Sequence, residues 1–493
     1  MKILLVYPEF PDTFWSFKHA LRFVHKKASS PPLGLITIAP LLPEDWEKRL
    51  VDMNVEPLTE KHLRWADMVF ISAMVVQRTS VQDVIRRAKG AGKVVVAGGP
   101  LFLGEWQSFA AVDHFVLNEG EITLPMFLRD LEFGSPQRVY TTDDYADVTA
   151  SPVPMWELVK LHKYDSLSIQ YSRGCPFNCD FCNITAILGR RPRTKNASQL
   201  LAELDKMVAL GWERNIFFVD DNFIGNQKQL KEEILPAIIH WRKQHRDIRF
   251  ITEASINLAD DAELMKMMTD AGFTSVFVGV ETPDEASLQE CHKRQNLHRD
   301  LSASINTLQR NGLQVMGGFI VGFDTDSASI FRRQVEFIQK TGIVTAMVGM
   351  LQAPYGTQLY RRMEMEGRIL HEMTGDNADG STNIMPRMGL KALEEGYRQL
   401  MKGIYEPRFF YQRVKTFLSV YTPMQAPVKI HWQEIAAFFA SIWRLGIVGR
   451  ERREYWKLFF WTLARYPKKF ALAITFAIYG YHFRKVNEGL FAA

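Results

Sequence analysis

Cys175, Cys179 and Cys182 lie in one run, Cys175-Pro-Phe-Asn-Cys179-Asp-Phe-Cys182, at spacings of four and three. Three thiolates on a single loop suit a soft metal centre. Zinc would want a fourth ligand, and the remaining cysteine, Cys291 beside His292, is more than a hundred residues away. A cubane iron–sulfur cluster held by three cysteines leaves one iron open, and an open iron implies chemistry on a bound ligand. A long-range structural metal site and a set of reactive or buried thiols are the alternatives. Four cysteines in 493 residues are no disulfide framework, which fits a reducing compartment.

The elements around this loop read as two alternating series. From Met1 to about Ala150, short apolar runs at Ile3–Tyr7, Leu50–Met53, Met68–Ser72, Lys93–Ala97 and His114–Leu117 predict strands. Helical spacing at Leu33–Leu42, Gln77–Gly90 and Ile122–Asp130 falls between and after them. Continuous apolar strands alternating with helices predict an α/β, doubly wound, flavodoxin-like domain with its crevice beyond the strand C-termini. Thr141–Pro154 reads as a linker. The second series has candidate strands at Leu167–Tyr171, Asn215–Val219, Arg249–Glu253, Ser275–Val280, Gln314–Val321 and Ile343–Met350. The intervening helical patterns are Ala197–Leu210, Lys228–Gln244, Asp260–Ala271, Asp300–Gly312 and Ser327–Thr341. About six β/α units make a partial (β/α)6 barrel, whose chemistry belongs at the strand C-termini. After about Arg368 the pattern is helical. The predicted division is therefore 1–150, 151–368 and 369–493.

The cysteine spacing, with Phe181 before the last cysteine and a six-unit β/α domain around it, resembles the radical S-adenosylmethionine (SAM) superfamily over about Ser166–Arg368. The resemblance implies a [4Fe-4S] cluster on Cys175, Cys179 and Cys182 whose open iron chelates SAM. Reductive cleavage would then give methionine and a 5′-deoxyadenosyl radical, with electrons from a flavodoxin- or ferredoxin-type donor. It also implies SAM contacts from Phe181, from Asp220 and Asp221 after the second strand, from Glu253 after the third and from Glu281 after the fourth. Gly318, in Gly317-Gly318-Phe-Ile-Val-Gly322, and Gln352, in the loop after the sixth strand, complete that set. Helix capping, solvation or structural hydrogen bonds are the plain alternatives for the carboxylates.

Radical SAM relatives with a doubly wound first domain are mostly cobalamin-binding, with the signature Asp-x-His-x-x-Gly, Ser-x-Leu and Gly-Gly. Here those positions read Asp52-Met-Asn54-Val-Glu-Pro57, Ser72-Ala-Met74 and Gly98-Gly99. Asn54 replaces the histidine, and an amide is a very poor cobalt ligand beside an imidazole. Either cobalamin binds with no ligand from the protein, or the domain has lost it. Asn118-Glu-Gly-Glu121 also looks like the turn that closes this domain. The implied contacts are Asp52, Asn54, Ser72, Gly98 and Gly99.

The net charge of +5 is unevenly spread: Pro407–Ala493 holds 14 Lys+Arg against 4 Asp+Glu, leaving the first 406 residues slightly acidic. Residues 434–485 alternate aromatic helical runs with basic residues, and the uncharged Phe470–Phe483 run would span roughly 21 Å as a helix, short of a bilayer core. Membrane-surface contact, packing on the barrel or a dimer interface, and nucleic-acid binding are the readings, the last with no motif behind it. No signal peptide is read at Met1–Tyr7, so the expected location is cytoplasmic, with peripheral contact to the inner membrane face. The run Tyr171–Cys182, Phe218-Val-Asp-Asp-Asn-Phe-Ile-Gly-Asn226 and the long basic, aromatic tail together resemble the hopanoid C-2 methylase group, which implies methylation of an unactivated carbon in a lipophilic substrate. A radical cyclase without methyl transfer, and a non-catalytic iron–sulfur lipid-binding protein, are the alternatives. Cys291, with no motif around it, reads as structural.

Overall fold

The computed structural model describes residues 1–423 and 431–490. Six strands form the first sheet: β1 (Lys2–Tyr7), β2 (Glu47–Asp52), β3 (Met68–Ser72), β4 (Val94–Gly98), β5 (His114–Val116) and β6 (Val139–Tyr140). Their order is β2-β1-β3-β4-β5-β6, every pair parallel. Alternate residues of β1 serve two cores, Leu4 and Val6 on one face, Ile3 and Leu5 on the other. That is why the strand reads as a continuous apolar run rather than an alternating one. The doubly wound prediction holds, with the two-residue edge strand β6 added.

The second unit contains β7 (Leu167–Ile169), β8 (Ser172–Arg173), β9 (Arg193–Thr194), β10 (Ile216–Phe218), β11 (Phe250–Glu253), β12 (Phe273–Glu281), β13 (Gln314–Val321) and β14 (Ala346–Met350). Six of them form a parallel sheet in the order β14-β13-β12-β11-β10-β7, while β8 and β9 pair antiparallel in a small ribbon. Among the described residues β7 and β14 do not pair, so the barrel stays open. Side chains on its outer face, such as Phe218, Phe250, Val278, Phe319 and Val348, are completely buried against the helices. Their sequence neighbours on the inner face behave differently. Phe217, Ile251, Phe277 and Met316 are only half-buried and, among the described residues, belong to none of the hydrophobic cores.

Beyond the barrel, residues 369–389 are irregular rather than helical. They fold back over the loop after β14, where Asn383 and Ala353 exchange two hydrogen bonds of 2.8 and 2.9 Å. Helices follow at Leu390–Tyr405, Pro407–Val420, Trp432–Ser441 (continued by a π turn, Ile442–Ile447), Arg452–Arg465 and Phe470–Leu490. The first two share the barrel's core: Tyr397 donates to the Val348 carbonyl at 3.0 Å, and fully buried Arg413 donates to those of Ile404 at 2.7 Å and Val344 at 3.3 Å. Among the described residues no helix is long and apolar enough to cross a membrane.

Candidate active site

The cysteine loop begins at Gly174, whose φ of +95° and lack of a side chain are both required. A Cβ there would stand 2.9 Å from the Gly189 and Arg191 carbonyl oxygens. The loop closes on itself as the Cys175 N–H donates to Gly189 at 3.2 Å. Its base is braced by Asp220, which has no exposed surface and accepts from the backbone N–H groups of Tyr171 (3.1 Å) and Ser172 and from the Ser172 hydroxyl (2.6 Å). A carboxylate so occupied holds the strand that leads into the loop. Burial still pushes its pKa up to about 7.

All three thiols are half-buried and unbridged. Burial raises the pKa of each, that of Cys182 to about 12. The bare loop therefore resists forming thiolates, and a cationic centre is what would stabilise them. Among the described residues no three His, Cys, Asp or Glu side chains converge as the ligands of a single ion would. A cubane, in which each iron takes one thiolate, needs no such convergence, so the donor set fits a cluster better than mononuclear zinc.

Three residues absent from the sequence-based set face this loop. Gln295 Nε2 donates to Cys179 Sγ at 3.8 Å. Lys293 is paired with Glu281 at 2.7 Å, and its ammonium lowers the pKa of each of the three thiols, as burial raises them. Gly279 is glycine for this pair, since a Cβ would lie 2.4 Å from Glu281 Oε1 and 2.7 Å from Lys293 Nζ. Glu281, at φ +62°, thus spends its carboxylate on Lys293. Arg173 is the third, and immediately precedes Gly174 and Cys175. It meets Glu119 and Glu121, both at 2.7 Å, and Arg193 joins Glu119 at 2.9 Å. Burial opposes ionisation of Glu121, yet Arg173 holds its pKa at about 2. This network welds the Asn118–Glu121 turn of the first domain to the ribbon beneath the cysteines.

The remaining predicted residues separate into those that open on the barrel mouth and those that do not. Asp221 and Glu253 open on it. Burial raises Asp221 to about 6, and burial with the neighbouring Asp221 and Asp220 raises Glu253 to about 8. Gly318 lies on the inner face, where a Cβ would meet the Phe277 ring at 2.7 Å. Phe181 instead packs with Phe323, Leu351, Leu359 and Cys291. Cys291 is itself buried, 3.7 Å from the Leu288 carbonyl, as a structural thiol would be. Gln352 donates to the Asp376 and Ser381 carbonyls, each at 3.3 Å.

A cavity of about 370 Å³ lies at the C-terminal ends of the first sheet, lined there by Ser72, Gly98 and Gly99. Its other wall is Gln170, Val219, Ile187 and Leu188 of the barrel unit, so it opens toward the segment that follows the cysteines. Gly99 has φ +92°, and a Cβ would stand 2.7 Å from Ser72 Oγ. The cavity's place beyond the strand C-termini, facing the barrel unit, is where a doubly wound domain would present a cobalamin-type ligand. Asp52 and Asn54 do not line it. Asn54 donates to Asp52 Oδ1 at 2.7 Å and to the Pro8 carbonyl at 3.2 Å, and accepts from the Phe10 N–H at 2.8 Å. Asp52 in turn accepts from the Tyr164 hydroxyl at 2.8 Å. The amide that replaces the histidine is a loop fastener.

Three family models match separate stretches of the chain. The B12 binding domain matches residues 24–128, the Radical SAM superfamily residues 169–338, and a domain of unknown function, DUF4070, residues 357–492. An uncharacterized methyltransferase of Synechocystis is 41% identical, covering 99% of this chain and 92% of its own. The hopanoid C-2 methylase of Rhodopseudomonas palustris is 33% identical, covering 92% of this chain and 88% of its own. The cobalamin-dependent SAM radical enzyme OxsB, solved with aqua-cobalamin and SAM, shares the fold at TM-score 0.64 and 15% identity, over 100% of this chain and 80% of that one. The enzyme carries a [4Fe-4S] cluster, SAM and cobalamin as cofactors. With a B12 binding domain and a Radical SAM domain on one chain, and relatives of this identity over almost its whole length, the chain belongs to the cobalamin-dependent radical SAM methyltransferases, the family that includes hopanoid C-2 methylase.

Proposed function

We propose that the protein methylates an unactivated carbon of a lipophilic substrate, a polycyclic terpenoid lipid or a similar ring system. The observation that carries this is the inner face of the barrel. Phe217, Ile251, Phe277 and Met316 sit on four adjacent strands, half-buried and, among the described residues, packed into no core. An apolar surface kept out of every core and directed into an open barrel is matched by an apolar ligand. Trp15, from the N-terminal segment, meets that face at Phe277, ring centroids 5.5 Å apart. The hopanoid C-2 methylase among the relatives supports the same substrate class.

In this reading Cys175, Cys179 and Cys182 hold the cluster, and Asp221 and Glu253 are the carboxylates left to face the ammonium of SAM. Gly318 allows close approach on the inner face, and Ser72, Gly98 and Gly99 floor the cobalamin crevice. When bound, these groups supply the radical that removes hydrogen and the methyl group that replaces it. The apolar inner face orients the substrate and keeps water from the reacting carbon. The division into 1–150, 151–368 and 369–493, a flavodoxin- or ferredoxin-type electron donor, and a place at the inner face of the membrane belong to the same proposal. Lipid extracts from cells with and without the gene test it by mass. A cyclic or polycyclic lipid heavier by one methyl is expected. Loss of hydrogens without mass gain, or a change confined to water-soluble compounds, would overturn it.

A further inference from the structure

The last helices divide sharply in where they put their apolar side chains. Phe470–Leu490 contains the longest uncharged run, and its Ala473, Phe476, Ala477, Gly480 and Phe483 are buried in the protein. Its apolar character is spent on packing. The two helices before it do the reverse. On Trp432–Ile447, Trp432 is 65% exposed, Phe439 63% and Trp443 61%, with Ile435 and Ile447 about half-exposed. These positions recur at helical spacing, opposite buried Ala437, Ser441 and Leu445. On Arg452–Arg465, Phe460 is 61% exposed and Leu463 is also open. Ring contacts join the two helices into one face: Phe438 meets Phe459 at 6.3 Å, and Phe459 meets Phe460 at 5.3 Å. Scattered exposed apolar residues need no explanation, but a contiguous aromatic face marks an interaction site.

Charge identifies the occupant. Residues 431–470 hold eight Lys+Arg and three Asp+Glu. Of the three acids, Glu451 is buried against Arg484. Arg452, Arg453, Arg465 and Lys468 are exposed around the aromatic face. A second copy of the chain meeting this face about a two-fold axis would set the same cations against one another. A nucleic acid would be held by charge at the centre of the surface rather than by an apolar one. Aromatic side chains on short helices, rimmed by arginine and lysine, match the interface of an anionic bilayer.

We propose that the face formed by Trp432–Ile447 and Arg452–Arg465 docks the enzyme on an anionic membrane surface, with the aromatic side chains entering the headgroup boundary. The inference rests on the lipid-substrate reading and gives it a location. Arg214, just ahead of β10, bonds Gln433 at 2.8 Å, and the His25 ring stacks on Trp432 at 6.0 Å. The segment that carries His25 also carries Trp15. The bilayer would therefore lie beside the N-terminal segment that reaches the inner face of the barrel.

The full-length protein, sedimented with vesicles, tests this. Binding is expected to an equal mixture of phosphatidylcholine and phosphatidylglycerol, weakening with salt, with little binding to phosphatidylcholine alone. Each basic residue near such a surface contributes roughly fivefold in partition, so Arg452→Gln with Arg453→Gln should weaken binding by more than tenfold. Phe439→Ser with Trp443→Ser should weaken it at least as much. Both pairs are exposed, and retained cluster absorbance shows that the fold survives. Wild-type protein that ignores the mixed vesicles, variants that partition unchanged, or a soluble dimer that the aromatic variant splits would overturn the proposal. Vesicle binding needs no turnover: binding without any methylated lipid would overturn the substrate reading alone, and methylation without binding the docking alone.

Discussion

Replacing Cys175, Cys179 or Cys182 by alanine is expected to leave protein without its iron–sulfur absorbance and to reduce methyl transfer to background. The loss should be complete because each thiolate serves one iron of the cubane, and removing one leaves a second iron without a protein ligand. Cys291→Ala is the internal control. That side chain is buried beside Phe323, Leu351 and Leu359, so its loss should lower stability by about 1 kcal/mol and leave iron content and turnover intact. Iron per chain and the visible absorbance of anaerobically reconstituted protein read out both.

The second large effect separates two phenylalanines on adjacent strands. Phe319→Ala on β13 removes a ring with no exposed surface that packs on Phe337 at 6.1 Å, and should cost ~3–5 kcal/mol of stability. Phe277→Ala on β12 removes a ring from the inner face, where it touches Trp15 and covers Gly318 but, among the described residues, joins no core. Its cost should be much smaller. If that face holds the substrate, the loss of apolar contact should raise KM roughly 10–100-fold, with cluster content unchanged. Thermal unfolding and steady-state kinetics on the two variants distinguish the roles. A destabilised Phe277→Ala protein with unaltered KM would return the inner face to ordinary packing.

That contrast also marks how far the sequence can be read. Most strands of the two sheets were legible because apolar side chains on both faces make continuous runs, and a run such as Gln314–Val321 is unmistakable. The same continuity hid which face was in a core, since Phe277 and Phe319 are one residue type on either side of a sheet. Strands β6, β8 and β9 have two residues each, too few for any period. The cysteines were legible from spacing alone, but Gln295 and Lys293 reach them from more than a hundred residues away, with no pattern joining the two segments. Asp220 and Asp221 read as an equivalent pair. The first is consumed by the Tyr171 and Ser172 donors, and only the second opens on the barrel mouth. In the C-terminal region, composition left membrane contact and packing open for residues 434–485 alike, whereas the structure buries much of Phe470–Phe483 and leaves one face of Trp432–Ile447 exposed. Asn54 was readable as a missing cobalt ligand, but its use as a loop fastener needed the Pro8 and Phe10 contacts.

The most direct measurement supplies purified, anaerobically reconstituted protein with cobalamin, a low-potential reductant, a polycyclic lipid extract and SAM deuterated at its methyl group. The result expected is a lipid product carrying one intact deuterated methyl group, formed together with 5′-deoxyadenosine, and neither product with the Cys182→Ala protein. Formation of 5′-deoxyadenosine with no labelled methyl in any lipid would contradict methylation of a lipophilic substrate.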